Sequence, residues 1–454
     1  MTLGAGNDEI QKQIDHLFSS ILVEQKTINK VKGADPGKES MAKKLLEDYG
    51  DNRGRGFIFD NLSTGRGHGP FTEHQDGSVK FDLINGIGIN LLGHSHPVYI
   101  KSCLEAATYD TLMCGNLQPY GPSKELTKSI TDAVDDSRLK HFWFAGSGSF
   151  ANDLALKLLW QKQSPKYGLI AFNNAFAGRS VATQDITTNP AYREGMPRNL
   201  NVSYAPHYDQ NNPDGALQNT LDALDKIWNE NPDSFCAIMM EIIQGEGGFV
   251  FGTKEYYQGV FDWAKSKGIY IWIDEVQSFG RTHELFAFQT FGLQEYVDIV
   301  TIAKTLQVGG LLYTEELNPK PGLIAGTFNG SIPSIIAGSK VVKFLTEGNF
   351  YGQNGRIKQI EETFIGKLQD LMAGSCKGKI KYAGGIGTMI AFEVGNSDKE
   401  DTWKFIRKLF ENGIVAFSAG RGPVRVRFLL PISLKDEHID EIFQILEKTV
   451  HEVF

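Results

Sequence analysis

Cysteine is scarce in this sequence: Cys103, Cys114, Cys236 and Cys376 are the only four among 454 residues. They are scattered, and none forms a CxxC pair. That fits buried or inert thiols in a reducing cytoplasm better than a disulfide framework. No dense Lys/Arg block occurs, and the net charge is −8. Nucleic acid and anionic membrane surfaces are therefore disfavoured as partners. No apolar run reaches the length of a membrane span, and the first residues, MTLGAGNDEI, have neither the basic start nor the apolar core of a secretory signal. Internal repeats and low-complexity tracts are also missing. The expectation is a soluble cytoplasmic protein that binds neither nucleic acid nor membrane.

The composition that remains, 41% hydrophobic and 22% charged, is that of an ordinary globular chain long enough for two or more packed units. From Asp8 to about Lys32, Ile10, Ile14, Leu17 and Ile21 fall on one face of an expected helix. GADPGKE at 33–39 is a linker; it is one residue short of a phosphate-binding P-loop, and no strand precedes it. From residue 141 to about 315, short apolar runs alternate with helical stretches. The runs are HFWFAG, YGLIAF, LNVSYAP, FCAIMMEII, IYIWIDEV, VDIVTIAK and GGLLYTEE. Between them lie amphipathic stretches, one holding Leu154, Leu158 and Leu159 and another ending before Gly268. This pattern predicts an α/β fold with a largely parallel sheet covered on both faces.

After about residue 335 the order changes to helix, strand, helix, as in a smaller α+β domain. There, Ser433 and Asp436 suggest a capping box opening a last helix with Ile439, Ile442, Phe443, Leu446 and Val450 inward. The expected division is an N-terminal helix and part of the small domain over 1–75, a large domain over 76–335, and the rest of the small domain over 336–454.

Ligands of open parallel sheets sit beyond the carboxyl ends of the strands. Three such ends carry chemistry here. HFWFAG runs into GSGSFANDLALKLLW, a glycine-rich turn opening a helix whose free backbone N–H groups suit a phosphate. The same turn fits the dinucleotide pattern GxGxxA, which would make the chain an NAD-dependent oxidoreductase. The next run, YGLIAFNN, lacks the acidic residue that this reading needs. IYIWIDEV ends in Asp274 and Glu275, carboxylates that need a cation or donor where an apolar strand leaves the core. The other readings of that aspartate are a satisfied structural carboxylate and a Walker-B-like metal ligand, but the P-loop that the latter requires is absent. VDIVTIAK ends in Lys304, which alone is most simply a snorkelling lysine. Together, an anion nest, a carboxylate and an amine are what pyridoxal 5′-phosphate asks of a protein.

With those residues identified, the chain resembles the class III pyridoxal-phosphate aminotransferases of fold type I. The resemblance is carried in order by DGSVKFDLINGIGINLLGHSHP (76–97), FAGR (176–179), IIQGEGG (242–248), DEVQ (274–277), DIVTIAK (298–304), GTFNG (326–330) and RFLLPI (427–432). It implies a mostly parallel seven-stranded sheet covered by helices, with a smaller α+β domain drawn from both termini. Lys304 would carry the cofactor as a Schiff base and shuttle a proton. Asp274 would hold the pyridine nitrogen protonated. Val276 and Phe176 would cover the two ring faces, and Gln277 would sit near the ring hydroxyl. Gly148 and Ser149 would give backbone N–H groups to the phosphate. Thr327 would reach the phosphate of a partner subunit, which implies a homodimer.

For substrates, the resemblance assigns Arg179 to a donor carboxylate, and Glu246 with Arg427 to a switch that admits 2-oxoglutarate in turn with an uncharged donor chain. KTLQVGG (304–310) and GIVAFSAGRGPVRVRF (413–428) are most similar to L-lysine 6-aminotransferases. Ornithine, acetylornithine and 4-aminobutyrate aminotransferases remain alternatives, as does a racemase or aminomutase on the same fold. Three departures bear on the pocket: Phe150 stands where the family has glutamate, Ala177 where it has histidine, and Glu241-Ile242-Ile243-Gln244 where it has EPIQ. His94 and His96 are read as turn residues rather than metal ligands, because no carboxylate lies near them in the sequence.

Overall fold

The computed structural model describes residues 8–110, 112–115 and 117–454. They form two compact units: residues 105–355, and residues up to Leu104 together with 356–454.

The first unit is built on one seven-stranded sheet, and each of the seven apolar runs supplies a strand. Across the sheet the order is Leu139–Ala145, Gly309–Thr314, Ile299–Ile302, Tyr270–Asp274, Phe235–Met240, Gly168–Phe172, Val202–Ala205. The last five pair in parallel. Gly309–Thr314 runs antiparallel to both of its neighbours. Every residue of the strands Phe235–Met240, Tyr270–Asp274 and Ile299–Ile302 is buried. A sheet covered on both faces buries both sides of a strand, so these strands read as continuous rather than alternating apolar runs.

The helix Gly148–Gln163 lays Ala151, Leu154, Ala155, Leu158 and Leu159 into the core that also holds Leu169, Trp272, Ile299 and Leu311. The helix Lys254–Ser266 is capped by the Thr253 hydroxyl, which accepts the Tyr256 N–H at 3.3 Å, and it buries Val260, Phe261 and Ala264.

The second unit centres on an antiparallel sheet in the order Ile380–Ile386, Met389–Val394, Arg425–Leu429, Phe417–Ala419. Its core combines Phe71, Phe81 and Leu83 with Phe364, Phe392, Phe428 and Ile442, so both ends of the chain contribute. The strand Val79–Asp82 pairs in parallel with Ile414–Val415. That pairing takes residues 76–104 into the second unit, so the unit boundaries fall near 105 and 355 rather than at 76 and 335.

Two local expectations are corrected. The first helix ends at Gln25, seven residues before Lys32, and none of its residues is buried. Residues 1–7 of the expected 1–75 segment lie outside the described residues. The last helix, Asp436–Val453, buries the expected Ile439, Ile442, Phe443, Leu446 and Val450. Its cap position is Lys435 rather than Ser433, because His438 Nδ1, one turn in, takes the Lys435 N–H at 3.2 Å. No helix among the described residues is long and apolar enough to cross a membrane.

Candidate active site

Asp274 is the last residue of its strand and stands in register with Thr301 of the parallel neighbour. The Glu275 N–H donates to the Thr301 carbonyl at 2.8 Å, which holds the two strand ends level. Past Ala303 the chain turns abruptly. Lys304 takes φ 50° and Gln307 φ 67°, both in the left-handed region. For a side-chain-bearing residue that conformation costs of order 1 kcal/mol. The Lys304 carbonyl accepts the Gln307 N–H at 2.8 Å and its Nε2 at 3.2 Å, which holds the turn in place.

The Asp274 carboxylate is buried. Oδ1 accepts the Val276 N–H at 2.8 Å and Oδ2 accepts Asn152 Nδ2 at 2.7 Å. Burial pushes its pKa up to about 6, while those two hydrogen bonds and the positive charge of Lys304 pull it down. Glu275, the other carboxylate of the pair, faces elsewhere. It accepts the N–H groups of Ala287 and Phe288 at 2.7 and 2.9 Å, and so braces the short helix Ala287–Thr290.

The glycine-rich turn meets the same strand ends. Ser147 caps the helix by accepting the Phe150 N–H at 3.2 Å. A Cβ on Gly148 would stand 2.7 Å from Val276 Cγ1 and 3.4 Å from the Ala303 Cβ, so only a bare backbone fits between them. Gly178, at φ 125°, lies so close to Ser149 that a Cβ there would overlap the hydroxyl. The Ser149 Oγ accepts the Arg179 N–H at 3.4 Å.

Around this cradle, Phe176 meets Tyr192 edge to face, with ring centroids 6.0 Å apart. The Arg179 guanidinium lies over the opposite partner of that contact, 3.7 Å from the centre of the Tyr192 ring. Gln277 is buried, its amide so close to Gly245 that a Cβ there would stand 2.5 Å from Oε1. Glu246 follows at a half-buried position.

Glu241 ties two of these segments together. Its Oε1 accepts the Phe176 N–H at 2.9 Å and its Oε2 the Gly245 N–H at 3.0 Å. Burial first, and the nearby Asp274 charge second, push its pKa up to about 8. His207 Nε2 lies 3.2 Å from the Glu241 carbonyl, and burial drives that imidazole down to about 4.

Lys304, Asp274, Gly148, Ser149, Val276, Phe176, Gln277, Arg179 and Glu246 thus all lie in the first unit, on the strand ends and their adjoining turns. Thr327 is also in the first unit but sits on an exposed loop, its carbonyl packed against Gly115. Arg427 lies in the second unit, wholly buried on Arg425–Leu429, with its guanidinium 5.5 Å from the centre of the Phe417 ring. His94 does have a carboxylate partner, contrary to the expectation: Asp82 Oδ2 is 2.8 Å from Nε2. Among the described residues no cluster of three His, Cys, Asp or Glu side chains could hold a metal.

Sequence reasoning missed Asn152, Tyr192 and the tying role of Glu241. Asn152 had a signal: it is a polar residue on a helix face otherwise made of Ala151, Leu154, Ala155 and Leu158. Tyr192 had none beyond a turn-forming Asn-Pro before it.

The site fits pyridoxal 5′-phosphate. Its carboxylate is buried and accepts two N–H donors. Its helix start is bare of side chains at Gly148, and Lys304 opens the turn two residues past the adjoining strand.

Residues 54–450 match the family model for class-III aminotransferases. An acetylornithine aminotransferase of Caldanaerobacter subterraneus subsp. tengcongensis is 30% identical over 403 residues, covering 86% of this chain and 94% of that protein. A 2-aminoadipate transaminase of Pseudomonas putida is 27% identical over 393 residues, covering 83% and 93%. Among solved structures, a lysine aminotransferase from M. tuberculosis superposes with a TM-score of 0.80 at 19% identity, over 90% of this chain and 100% of the other.

Proposed function

This chain belongs to the class-III aminotransferases, which depend on pyridoxal 5′-phosphate, and from that premise we propose that it moves the terminal amine of an ω-amino or diamino acid, L-lysine in our reading, to 2-oxoglutarate. The observation that carries the proposal is the grouping of buried Asp274, Lys304 and the bare Gly148 turn at adjoining strand ends, with Arg179 over the Tyr192 ring that Phe176 meets.

When bound, the cofactor supplies an electron sink that makes the C–H next to the donor nitrogen acidic. Asp274 would face the ring nitrogen and hold its proton. Burial raises its pKa, and a pyridinium facing it would favour its ionised form. Lys304 would hold the cofactor through its amine and then, released, carry the proton as general acid/base. Val276 and Phe176 would confine the ring, and Gln277 would meet its hydroxyl. The Gly148 and Ser149 N–H groups would hold the phosphate at the helix start. Arg179 would hold the donor carboxylate so that the distal amine reaches the chemistry. Glu246 would neutralise Arg427 while an uncharged chain is bound and release it for 2-oxoglutarate.

We also propose a homodimer in which Thr327 reaches the second copy's phosphate. Leu112, Leu117, Phe150 and Phe328 of the first unit are 67%, 98%, 38% and 65% exposed, an apolar set that a second copy would cover. A cytoplasmic location is supported by four cysteines that are all free.

Donor choice has two supports of unequal kind. The KTLQVGG and C-terminal runs favour lysine, whereas the relative named for acetylornithine favours that donor. A panel of L-lysine, L-ornithine, N-acetylornithine and 4-aminobutyrate with 2-oxoglutarate decides between them by glutamate formation. L-Lysine is expected to be fastest. N-Acetylornithine in first place would overturn the lysine assignment, and turnover without stoichiometric glutamate would point to a racemase or aminomutase.

A further inference from the structure

We propose that Tyr192 is a positioning residue that sets the enzyme's preference for carboxylate-bearing donors, by holding the Arg179 guanidinium over its ring. The inference rests on the reading of Arg179 as the donor-carboxylate site.

Arg179 is exposed, and among the described residues it makes no ion pair. An exposed arginine ordinarily samples many rotamers and loses that freedom when it grips a ligand. Here its guanidinium sits 3.7 Å from the centre of the Tyr192 ring. Stacking engages the face of the guanidinium and leaves its in-plane N–H groups pointing outward, the edge that pairs bidentately with a carboxylate.

The ring itself is held. It also meets Phe176, whose ring stands at 89° to it with centroids 6.0 Å apart. The loop carrying Tyr192 is pinned to the loop carrying Arg179. Thr187 Oγ1 donates to the Gly178 carbonyl at 2.9 Å and accepts the Ala177 N–H at 3.0 Å. Arg193 Nη1 returns to the Thr187 carbonyl at 3.2 Å, and Asn189 caps the short turn Pro190–Tyr192 by accepting the Ala191 N–H at 3.2 Å. Downstream, Asp185 Oδ2 accepts the Leu200 N–H at 2.9 Å and closes the loop. Tyr192 is therefore a fixed platform, and the arginine is preorganised on it before any donor arrives.

The test compares L-lysine with 1,5-diaminopentane, which differs from it only in lacking the carboxylate. Both are assayed with the holoenzyme, its Tyr192→Leu and Tyr192→Phe variants, and Arg179→Gln, after the absorbance of the bound cofactor confirms equal occupancy. Tyr192→Leu is expected to raise the KM for L-lysine about fivefold, the scale of an exposed cation–π contact. Its kcat and its rate with the diamine should stay near those of the parent. Tyr192→Phe keeps the ring and should behave as the parent does. Equal losses on both substrates, or no loss on either, would overturn the positioning role. Arg179→Gln separates the two failures. If it spares L-lysine, the carboxylate reading itself is wrong. If it weakens L-lysine alone while Tyr192→Leu does not, only the role of Tyr192 falls.

Discussion

Asn152 Nδ2 donates to Asp274 Oδ2 at 2.7 Å, and Asn152 sends a second bond from the same nitrogen to the Ala177 carbonyl at 2.7 Å. One buried amide thus joins the second turn of a helix, the end of a strand and the loop before Arg179. Removing it as Asn152→Ala takes a donor from a buried carboxylate, a loss of about 1–3 kcal/mol. Turnover should fall about tenfold, with cofactor affinity weakened. Asp274→Asn keeps the shape and removes the charge, and should cost at least ~100-fold, as for other positioned acid/base groups. Steady-state rates of both variants check this; near-parent activity in Asp274→Asn would make the aspartate structural.

Lys304 stands at the turn after Ile299–Ile302, in a left-handed conformation that the neighbouring Gln307 bonds hold. Lys304→Ala should fold, because only the side chain beyond Cβ is lost, and should not turn over. Borohydride reduction of the parent enzyme followed by peptide mass mapping should place the cofactor on the peptide containing Lys304. A label on another lysine would reassign the site.

The strands of the first unit were legible because a sheet covered on both faces writes itself as unbroken apolar runs. Asp274 and Lys304 were legible because a charge at the end of such a run is conspicuous. The helix face of the last helix was legible by its period. What the chain does at long range was not. Val79–Asp82 reads like any other strand, and only its pairing with Ile414–Val415 assigns it to the second unit. Tyr192 and Glu241 act through contacts with Arg179, Phe176 and Gly245 that no local pattern announces. The Lys435 cap was missed because Ser433 satisfies the usual pattern two residues early.

Burial raises Glu241 to about 8 from an ordinary 4.5. Between those values the folded state holds a proton that the unfolded state has released, so this group makes stability fall as pH rises. His207, His74 and His96 are lowered to about 4 from 6.5 and act in the opposite sense below pH 6.5. Above that they are neutral in both states. Glu275, raised to about 7, acts in the same sense as Glu241 up to that pH, so thermal stability of the cofactor-stripped enzyme should decline from pH 6.5 to 8, and Glu241→Gln should flatten the decline chiefly above pH 7 even if it lowers the midpoint overall. An unchanged slope in the variant would show that Glu241 is not the group responsible.

Glu246 and Arg427 should divide their effects between the two half-reactions. Glu246 is half-buried next to the Gly245 N–H that Glu241 holds, and its charge adds to the upward push on Glu241, so it stands among the first unit's carboxylates. Arg427 is wholly buried on Arg425–Leu429 in the second unit, beside the Phe417 ring. The proposed cycle assigns Glu246 to the half-reaction with the uncharged donor chain and Arg427 to the half-reaction with 2-oxoglutarate. Glu246→Ala should make glutamate a ready donor and cost the ω-amino donor its advantage. Arg427→Gln should weaken 2-oxoglutarate by about tenfold or more while largely sparing the first half-reaction, because a charged hydrogen-bonded contact is lost on one side only. Single-turnover spectra of each half-reaction with each variant separate these outcomes. Equal slowing of both halves in both variants would make the pair structural, and the case for a terminal-amine donor would lose its main support.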